Sequence, residues 1–345
     1  MTANRLPVID LASSFGSDAV ATLELAREID AACRRHGFFY VIGHGVPLAL
    51  TSHLFMLSRR FFALPEDVKR RWHIDRSGGL HRGFDPVGWQ ALDPTRPPDL
   101  KESFYLGVDR DHTDALVRAG TPQHGPNQWP DEDLVPGFQS TCEVYAATMQ
   151  RVSRQLMGLM ALGLRLPRDH FEPSMRNPMP VLRLLHYPGP RSGAGAPAAP
   201  PAEPVPPLPG QLGCGAHTDW GGLTLLAQDS AGGLQVHDRA GEWIDVPPME
   251  GSLVVNLGDM MQRWTNDHYR STLHRVHQGE VRRERHSLAY FFDIDYHAQV
   301  SALAGCWSAE DPPHYPPITA GEHIVEMYRR TTSAPADPAT LRLAA

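Results

Sequence analysis

Three observations predict a mixed α and β fold whose core is a β-sandwich or jelly roll backed by helices. After Pro180 the chain falls into eight short apolar segments separated by Gly, Asn and Asp, the texture of antiparallel strands rather than of strands alternating with crossover helices. From about Gly137 to Leu164 one long stretch keeps helical periodicity until Pro167 forbids continuation. Before residue 73, two shorter helical stretches alternate with two strand-like runs, which gives the N-terminal region an α/β character.

In chain order, Arg5 to Leu11 reads as a short strand, with Pro7 near its start where no ladder donor is needed. A helix follows from about Ser17 to His36, its apolar side marked by Val20, Leu23, Ile29 and Cys33, and Gly37 supplies the left-handed stop. Phe38 to Ile42 reads as a buried strand cut by the turn Gly43-His44-Gly45-Val46-Pro47. A second helix spans about Leu48 to Ala63, and Glu66 to Arg71 forms a short amphipathic turn. Residues 73–135 read as loops rich in Pro, Gly and Asp, with one short strand near Ser103 to Leu106. In the long helix Val144, Thr148, Val152, Leu156, Leu159 and Met160 mark the apolar face, and Met149, Met157 and Met160 read as core filler.

The eight strands are Val181 to Tyr187, Leu212 to Asp219, Leu223 to Gln228, Leu234 to His237, Trp243 to Val246, Leu253 to Leu257, Thr272 to Gln278 and His286 to Asp293. Between the first two, nine of the 23 residues from Pro188 to Gly210 are Pro, so this stretch lacks donors for pairing and is expected to be an exposed, mobile insertion. A late helix begins at Thr319-Ala320-Gly321-Glu322, a capping-box pattern. These readings divide the chain into an N-terminal region (1–135), a spine helix and connection (136–180), the β core (181–300, with the insertion at 188–210) and a helical tail (301–345).

Composition excludes several classes. A net charge of −7 argues against nonspecific affinity for nucleic acid or anionic lipid, both of which want a basic patch. No apolar stretch approaches the roughly 20 residues needed to cross a bilayer. The N-terminus has no apolar core followed by a cleavage site. Cys33, Cys142, Cys214 and Cys306 form no Cys-x-x-Cys pair and read as free thiols in a reducing cytosol. A cytoplasmic monomer acting on a small molecule, with no nucleic-acid or membrane partner, is the expectation.

The chemistry gathers around Gly213 to Leu226. An imidazole and a carboxylate two residues apart on an extended strand, His217 and Asp219, point the same way, because side chains alternate with a period of two. With His274 they make a two-histidine, one-carboxylate set, the arrangement that leaves open positions on a non-haem Fe(II). Strands distant in sequence meet across a jelly roll, so the 55-residue gap from Asp219 to His274 is no obstacle. A His-x-Asp pair alone is weak, since about one arises by chance among 18 His and 24 Asp in 345 positions. The chain has three, and the other two, His73/Asp75 and His112/Asp114, sit among charged residues and read as solvated surface. Only His217/Asp219 adjoins an apolar strand that could hold ligands rigidly. Eleven residues after His274 stands Arg285, and the same alternation puts its guanidinium beside the Ser287 hydroxyl, a pairing suited to gripping a carboxylate. On spacing alone, a strand-edge charge after Arg282, Arg283 and Glu284 remains the alternative.

Together these segments resemble the isopenicillin N synthase-like family of Fe(II)- and 2-oxoglutarate-dependent oxygenases. The resemblance rests on Leu6-Pro7-Val8-Ile9-Asp10, Gly37-Phe38-Phe39-Tyr40-Val41-Ile42-Gly43-His44-Gly45 and Phe61-Phe62-Ala63-Leu64-Pro65 in the N-terminal part. In the catalytic part it rests on His217-Thr218-Asp219, Ser271-Thr272-Leu273-His274-Arg275-Val276 and Arg285-His286-Ser287. It implies a distorted double-stranded β-helix with Fe(II) held by His217, Asp219 and His274. Residues 1–135 then form the family's oxygenase leader region. By the same resemblance 2-oxoglutarate chelates the metal, its far carboxylate meets Arg285 and Ser287, Tyr187 touches its C1 end, and O2 takes the last position. Decarboxylation to succinate and CO2 then drives oxidation of a small-molecule substrate. Plant members often carry Asn two positions before the Tyr that matches Tyr187, where this chain has Leu185. Related halogenases replace the carboxylate with a small residue, so Asp219 points to hydroxylation, desaturation or ring closure. An oxidase of the isopenicillin N synthase kind, using Fe(II) and O2 without 2-oxoglutarate, is the alternative, with Arg285 and Ser287 gripping the substrate. The residues that choose the substrate are expected around His81 to Leu92, near Phe104, and after Phe292.

Overall fold

A computed structural model describes residues 5–189, 208–278 and 283–331. The N-terminal part supplies β1 (Val8–Asp10), α1 (Ala19–Arg35), β2 (Phe38–Ile42), α2 (Leu48–Phe62), the one-turn α3 (Glu66–Lys69), β3 (Gly83–Asp85), β4 (Glu102–Leu106) and the one-turn α4 (Ala115–Arg118). The spine is α5 (Phe138–Gly163). Then come β5 (Val181–Tyr187), β6 (Cys214–His217), β7 (Leu223–Gln228), β8 (Leu234–His237), β9 (Trp243–Asp245) and β10 (Leu253–Leu257). The chain closes with α6 (Asp259–Trp264), β11 (His274–Val276), β12 (Arg285–Phe292), β13 (Gln299–Val300), β14 (Ile318–Thr319) and α7 (Ala320–Thr331).

Eight strands form one sheet in the order β1-β2-β10-β7-β12-β5-β4-β3, and four form a second in the order β6-β11-β8-β9. All pairs in the two are antiparallel except β1 with β2. Two antiparallel sheets of this kind are the jelly roll that the strand spacing predicts. The N-terminal region contributes four of the eight strands of the large sheet, so it is woven into the core rather than appended to it.

Alternation sorts the large sheet into two chemistries. Leu182, Leu184, Leu225, Val255, Leu288 and Tyr290 turn to one face and join residues of α1, α2 and α5 in the larger apolar core. Leu185, Tyr187, Val254 and Ala289, one residue out of step, turn inward and pack with Cys214, Val236 and Val276 of the small sheet. The spine helix lies in the larger core, and Met149, Met157 and Met160 are fully buried there as expected.

The helix faces follow the sequence reading along Val152, Leu156, Leu159 and Met160 of α5 and Ile29 and Cys33 of α1, and depart from it only near the start of each helix. Val144 of α5 is 55% exposed, and Tyr145 with Met149 forms the buried stripe instead. In α1, Val20 and Leu23 are exposed while Leu25, Ala26, Ile29 and Cys33 are buried. At the start of α5 the adjacent Val144 and Tyr145 offered two stripes, and the one that won joins residues of α1 and α2 in the larger core. The stretch 73–135 holds β3 as well as the expected β4; a three-residue Gly-Phe-Asp strand carries no alternation to detect. Short α6 was missed for the same reason. Gly37 stops α1 as expected, at φ +64°, and a Cβ there would meet the Arg270 carbonyl oxygen. The capping box of α7 is formed: Glu322 N–H donates to Thr319 Oγ1 and Thr319 N–H to Glu322 Oε2. Most of the Pro-rich insertion, 190–207, and the chain after 331 lie outside the described residues. All four cysteines are free and buried, and no helix among the described residues is long and apolar enough to cross a membrane.

Leu225, fully buried between β10 and β12, tests this layering. Leu225→Ala is expected to lower the unfolding free energy by about 2–5 kcal/mol, and Val144→Ala by less than about 0.5 kcal/mol. Denaturant midpoints at unchanged slope check both; equal losses would contradict the assignment of faces.

Candidate active site

In the small sheet β6 and β11 run side by side, with His217 directly opposite His274. Asp219 follows two residues on, and its Oδ1 lies 3.8 Å from His217 Nε2 and 3.6 Å from His274 Nε2. Every other heteroatom of the three is engaged. His217 Nδ1–H donates to the Gly215 carbonyl at 2.8 Å and His274 Nδ1–H to the Thr272 carbonyl at 3.0 Å. Asp219 Oδ2 accepts from Thr224 Oγ1 at 2.5 Å and from Asn256 Nδ2 at 2.6 Å. These bonds fix both imidazole tautomers with Nε2 as the free lone pair, so two nitrogens and one oxygen converge.

Charge completes the preparation. Burial, helped by the neighbouring His217, pulls the His274 pKa down to about 4, and burial lowers that of His217 as well. Both rings are therefore neutral ligands at neutral pH. Burial opposes ionisation of Asp219, but in acid, where a facing imidazole carries a proton, that charge and the two hydrogen bonds outweigh burial and hold the Asp219 pKa below the ordinary value. Outer contacts brace the strand and loop: Asp99 accepts from Gly215 N–H at 2.8 Å while pairing with buried Lys101, and Asp259 N–H donates to the Asp219 carbonyl at 2.8 Å.

Across the barrel, Arg285 of β12 stands opposite Tyr187 of β5, its guanidinium 4.6 Å from the ring centroid. Its Nη1 donates to Ser287 Oγ at 3.0 Å and its Nη2 to Gln228 Oε1 at 3.2 Å. The residue is 1% exposed, its Nε has no partner, and among the described residues no carboxylate pairs with it. A buried guanidinium without a counter-ion is costly, so this site is shaped to receive an anion.

A cavity of about 70 Å³ reaches the triad, lined by His217, Asp219 and Trp220 together with Gln90, Leu92, Tyr105, Arg183, Phe291, Asp293, Ile324 and Tyr328. The loop after His81 and the chain after Phe292 contribute as the sequence reading expects. Phe104 itself packs into the helix-side core, and its neighbour Tyr105 turns to the cavity. Buried Arg183 donates to Ser103 Oγ at 2.8 Å and to Gln90 Oε1 at 3.0 Å and lies over the Tyr105 ring. Asp293 has an unpartnered Oδ1, and burial with the nearby Asp219 charge pushes its pKa up to about 7.

The remaining His-x-Asp pairs are elsewhere. His112 is exposed and Asp114 caps α4. His73 departs from the solvated reading, since it is half-buried edge-on against Trp89 at 4.7 Å. Sequence reasoning missed Thr224, Asn256, Gln228 and Arg183. The available signal was a polar residue at alternate positions of otherwise apolar strands, as in Leu223-Thr224-Leu225-Leu226 and Val254-Val255-Asn256-Leu257.

Comparison with known proteins agrees with this geometry. Residues 6–132 match the family described as non-haem dioxygenase in morphine synthesis N-terminal, and residues 181–294 match the 2OG-Fe(II) oxygenase superfamily. The chain is 33% identical to the 2-oxoglutarate-Fe(II) type oxidoreductase hxnY of Emericella nidulans over 94% of its own length and 90% of that protein's. It is 38% identical to the 2-oxoglutarate-dependent dioxygenase citB of Monascus ruber over 95% of each. A full-length Neurospora crassa protein crystallised in complex with alpha-KG superposes with a TM-score of 0.80 at 31% identity, covering 94% of this chain and 96% of that one. The same protein with alpha-KG and thymine gives 0.78 at 30% identity, with 94% and 96% covered. The chain thus belongs to the 2OG-Fe(II) oxygenase superfamily. It is an Fe(II)- and 2-oxoglutarate-dependent oxygenase, and this assignment favours the 2-oxoglutarate reading over the oxidase alternative.

Asp293 gives the cavity a pH signature. Its folded pKa of about 7 lies above the ordinary 3.8, so folding takes up a proton that is released again as pH rises. Its contribution to stability therefore falls with pH from about 4 to about 7, and Asp293→Asn is expected to flatten that slope in metal-free protein. Denaturant titrations across this window check it; parallel curves for the two proteins would contradict it.

Proposed function

We propose that His217, Asp219 and His274 hold Fe(II) and that Arg285, Ser287 and Tyr187 hold 2-oxoglutarate. The observation that carries this reading is the accounting of donors: all triad heteroatoms are hydrogen-bonded except two Nε2 lone pairs and Asp219 Oδ1, which face one another. That donor set fits a facial Fe(II) site. The unpaired guanidinium of Arg285 fits the far carboxylate of the cosubstrate, with Ser287 Oγ as a second donor. The Tyr187 ring lies beneath this fork, which suits a contact at the far-carboxylate end and not the C1 end that the resemblance implies. Bound there, the metal and 2-oxoglutarate supply O2 activation coupled to decarboxylation, yielding succinate, CO2 and an oxidised substrate carbon.

The chain's own residues supply position, charge and dryness. Thr224 and Asn256 stop Asp219 from rotating, so one oxygen alone is presented to the metal. Neutral imidazoles and an ionised Asp219 leave the bound dication one unit of positive charge to share with the keto acid. Trp220, Phe291 and Ile324 wall the triad's cavity, which keeps bulk water from the oxidant. Arg183, with its Nε unpartnered, and Asp293 stand with Gln90, Tyr105 and Tyr328 among the polar groups lining that cavity. They favour a small polar molecule, the class to which the thymine of the Neurospora complex belongs.

Arg285→Gln tests the cosubstrate half of the reading. It removes a charge-assisted pair from a desolvated site, and the apparent KM for 2-oxoglutarate is expected to rise by roughly tens to thousands of fold with iron content unchanged. Succinate should form stoichiometrically in the unsubstituted enzyme. Turnover without succinate, or a mutation that raises only the substrate's KM, would show that Arg285 grips the substrate instead.

A further inference from the structure

On the helix-facing side of the large sheet, an otherwise apolar surface carries a polar cluster with no part in the reaction above. His286 of β12 lies directly opposite His186 of β5, and Glu284, two residues before His286, falls on the same face. We infer that His186, Glu284 and His286 form a second divalent-cation site, of the zinc class, separate from the iron centre.

The donor geometry argues for it. Glu284 Oε1 lies 3.1 Å from His186 Nε2 and 3.8 Å from His286 Nε2, and one atom from each of the three residues falls within 4.8 Å of the others. Zinc–nitrogen and zinc–oxygen bonds of about 2.0–2.2 Å in tetrahedral arrangement separate donors by roughly 3.3 Å, close to these spacings. The two rings stack at 4.6 Å with Phe62 against both, so their orientations are set by packing.

The surroundings also match a metal site. His186 Nδ1–H donates to Glu102 Oε1 at 2.7 Å, the carboxylate–histidine pairing that fixes a ligating ring and strengthens its other nitrogen. Glu102 spends its other oxygen on buried Lys69 at 2.5 Å, so those two charges cancel. With Lys69 matched to Glu102, the only charge set against Glu284 among the described ion pairs is that of a protonated imidazole, His186 at 3.1 Å and His286 at 3.8 Å. His286 is 2% exposed, with its Nε2 turned to Glu284 Oε1. With no metal, the short Glu284–His186 contact needs a proton between acceptor and ring, and the carboxylates raise the His186 pKa against the pull of burial. A dication replaces that proton. The Glu284 side chain is 29% exposed, so a water can take the fourth position and the ion can enter from solvent. An ion there clasps β5 to β12 on the face opposite Tyr187 and Arg285.

The test is equilibrium dialysis of metal-free full-length protein against micromolar Co(II) under anaerobic conditions. Two equivalents per chain are expected, falling to one in Glu284→Gln and to one in His217→Ala, with Zn(II) displacing the ion that Glu284→Gln loses. His286→Asn should repeat the Glu284→Gln result; because His286 is buried, Glu284→Gln, partly exposed and isosteric, decides if that variant does not fold. A single equivalent in the unsubstituted protein, or two retained in Glu284→Gln, would overturn the site and leave the cluster a proton-sharing network.

Discussion

The two sheets of this barrel meet chemically at one carboxylate. Asp219 lies just beyond the small sheet, yet the two donors on its Oδ2 come from β7 and β10 of the large sheet, and the two imidazoles facing its Oδ1 come from β6 and β11 of the small one. Burial alone would favour the protonated acid, and an unpaired carboxylate in such a place costs several kcal/mol. The Thr224 hydroxyl and the Asn256 amide offset part of that cost, and positive charge held between Oδ1 and the two Nε2 atoms would offset the rest. The fold therefore cannot shift one sheet against the other without disturbing the metal-binding face, which is how a barrel closed by short strands holds ligands in fixed geometry.

Strand periodicity does the rest. Along β12 the even-numbered residues His286, Leu288, Tyr290 and Phe292 belong to the helix side, while Arg285, Ser287 and Ala289 belong to the interior. The same rule on β5 separates Leu184 and His186 from Arg183, Leu185 and Tyr187. One strand pair thus serves a dry core on one side and carries the buried guanidinium of Arg285 on the other. The cavity beside the triad draws on the same division, since Arg183 and Tyr105 face it while Leu184 and Phe104 face the core. A slip of one residue in register would exchange the two surfaces entirely.

The triad, Arg285 with Ser287, and most strand positions were legible in the sequence because each follows from local spacing or from motifs that must be contiguous. β7, β8 and β10 match their predicted limits, for they are short apolar runs bounded by polar residues or glycine. What stayed hidden depends on partners distant in sequence. Thr224 and Asn256 look like ordinary strand residues until the sheets are folded around Asp219, 5 and 37 positions away. The buried side of α5 was misread only at its start, where Val144 and Tyr145 are both apolar and the helices packed on α5 decide between them. His73 read as surface because of its charged neighbours, while Trp89, brought alongside by the fold, covers it.

The most direct measurement of the central claim is anaerobic titration of the Fe(II)-loaded protein with 2-oxoglutarate, following the visible charge-transfer absorption that a keto acid chelated to Fe(II) produces. One equivalent of 2-oxoglutarate is expected to develop the band fully in the unsubstituted enzyme, and His274→Ala is expected to abolish it while the protein stays folded. A band of full intensity in folded His274→Ala, or none in the unsubstituted enzyme, would contradict the assignment of the site.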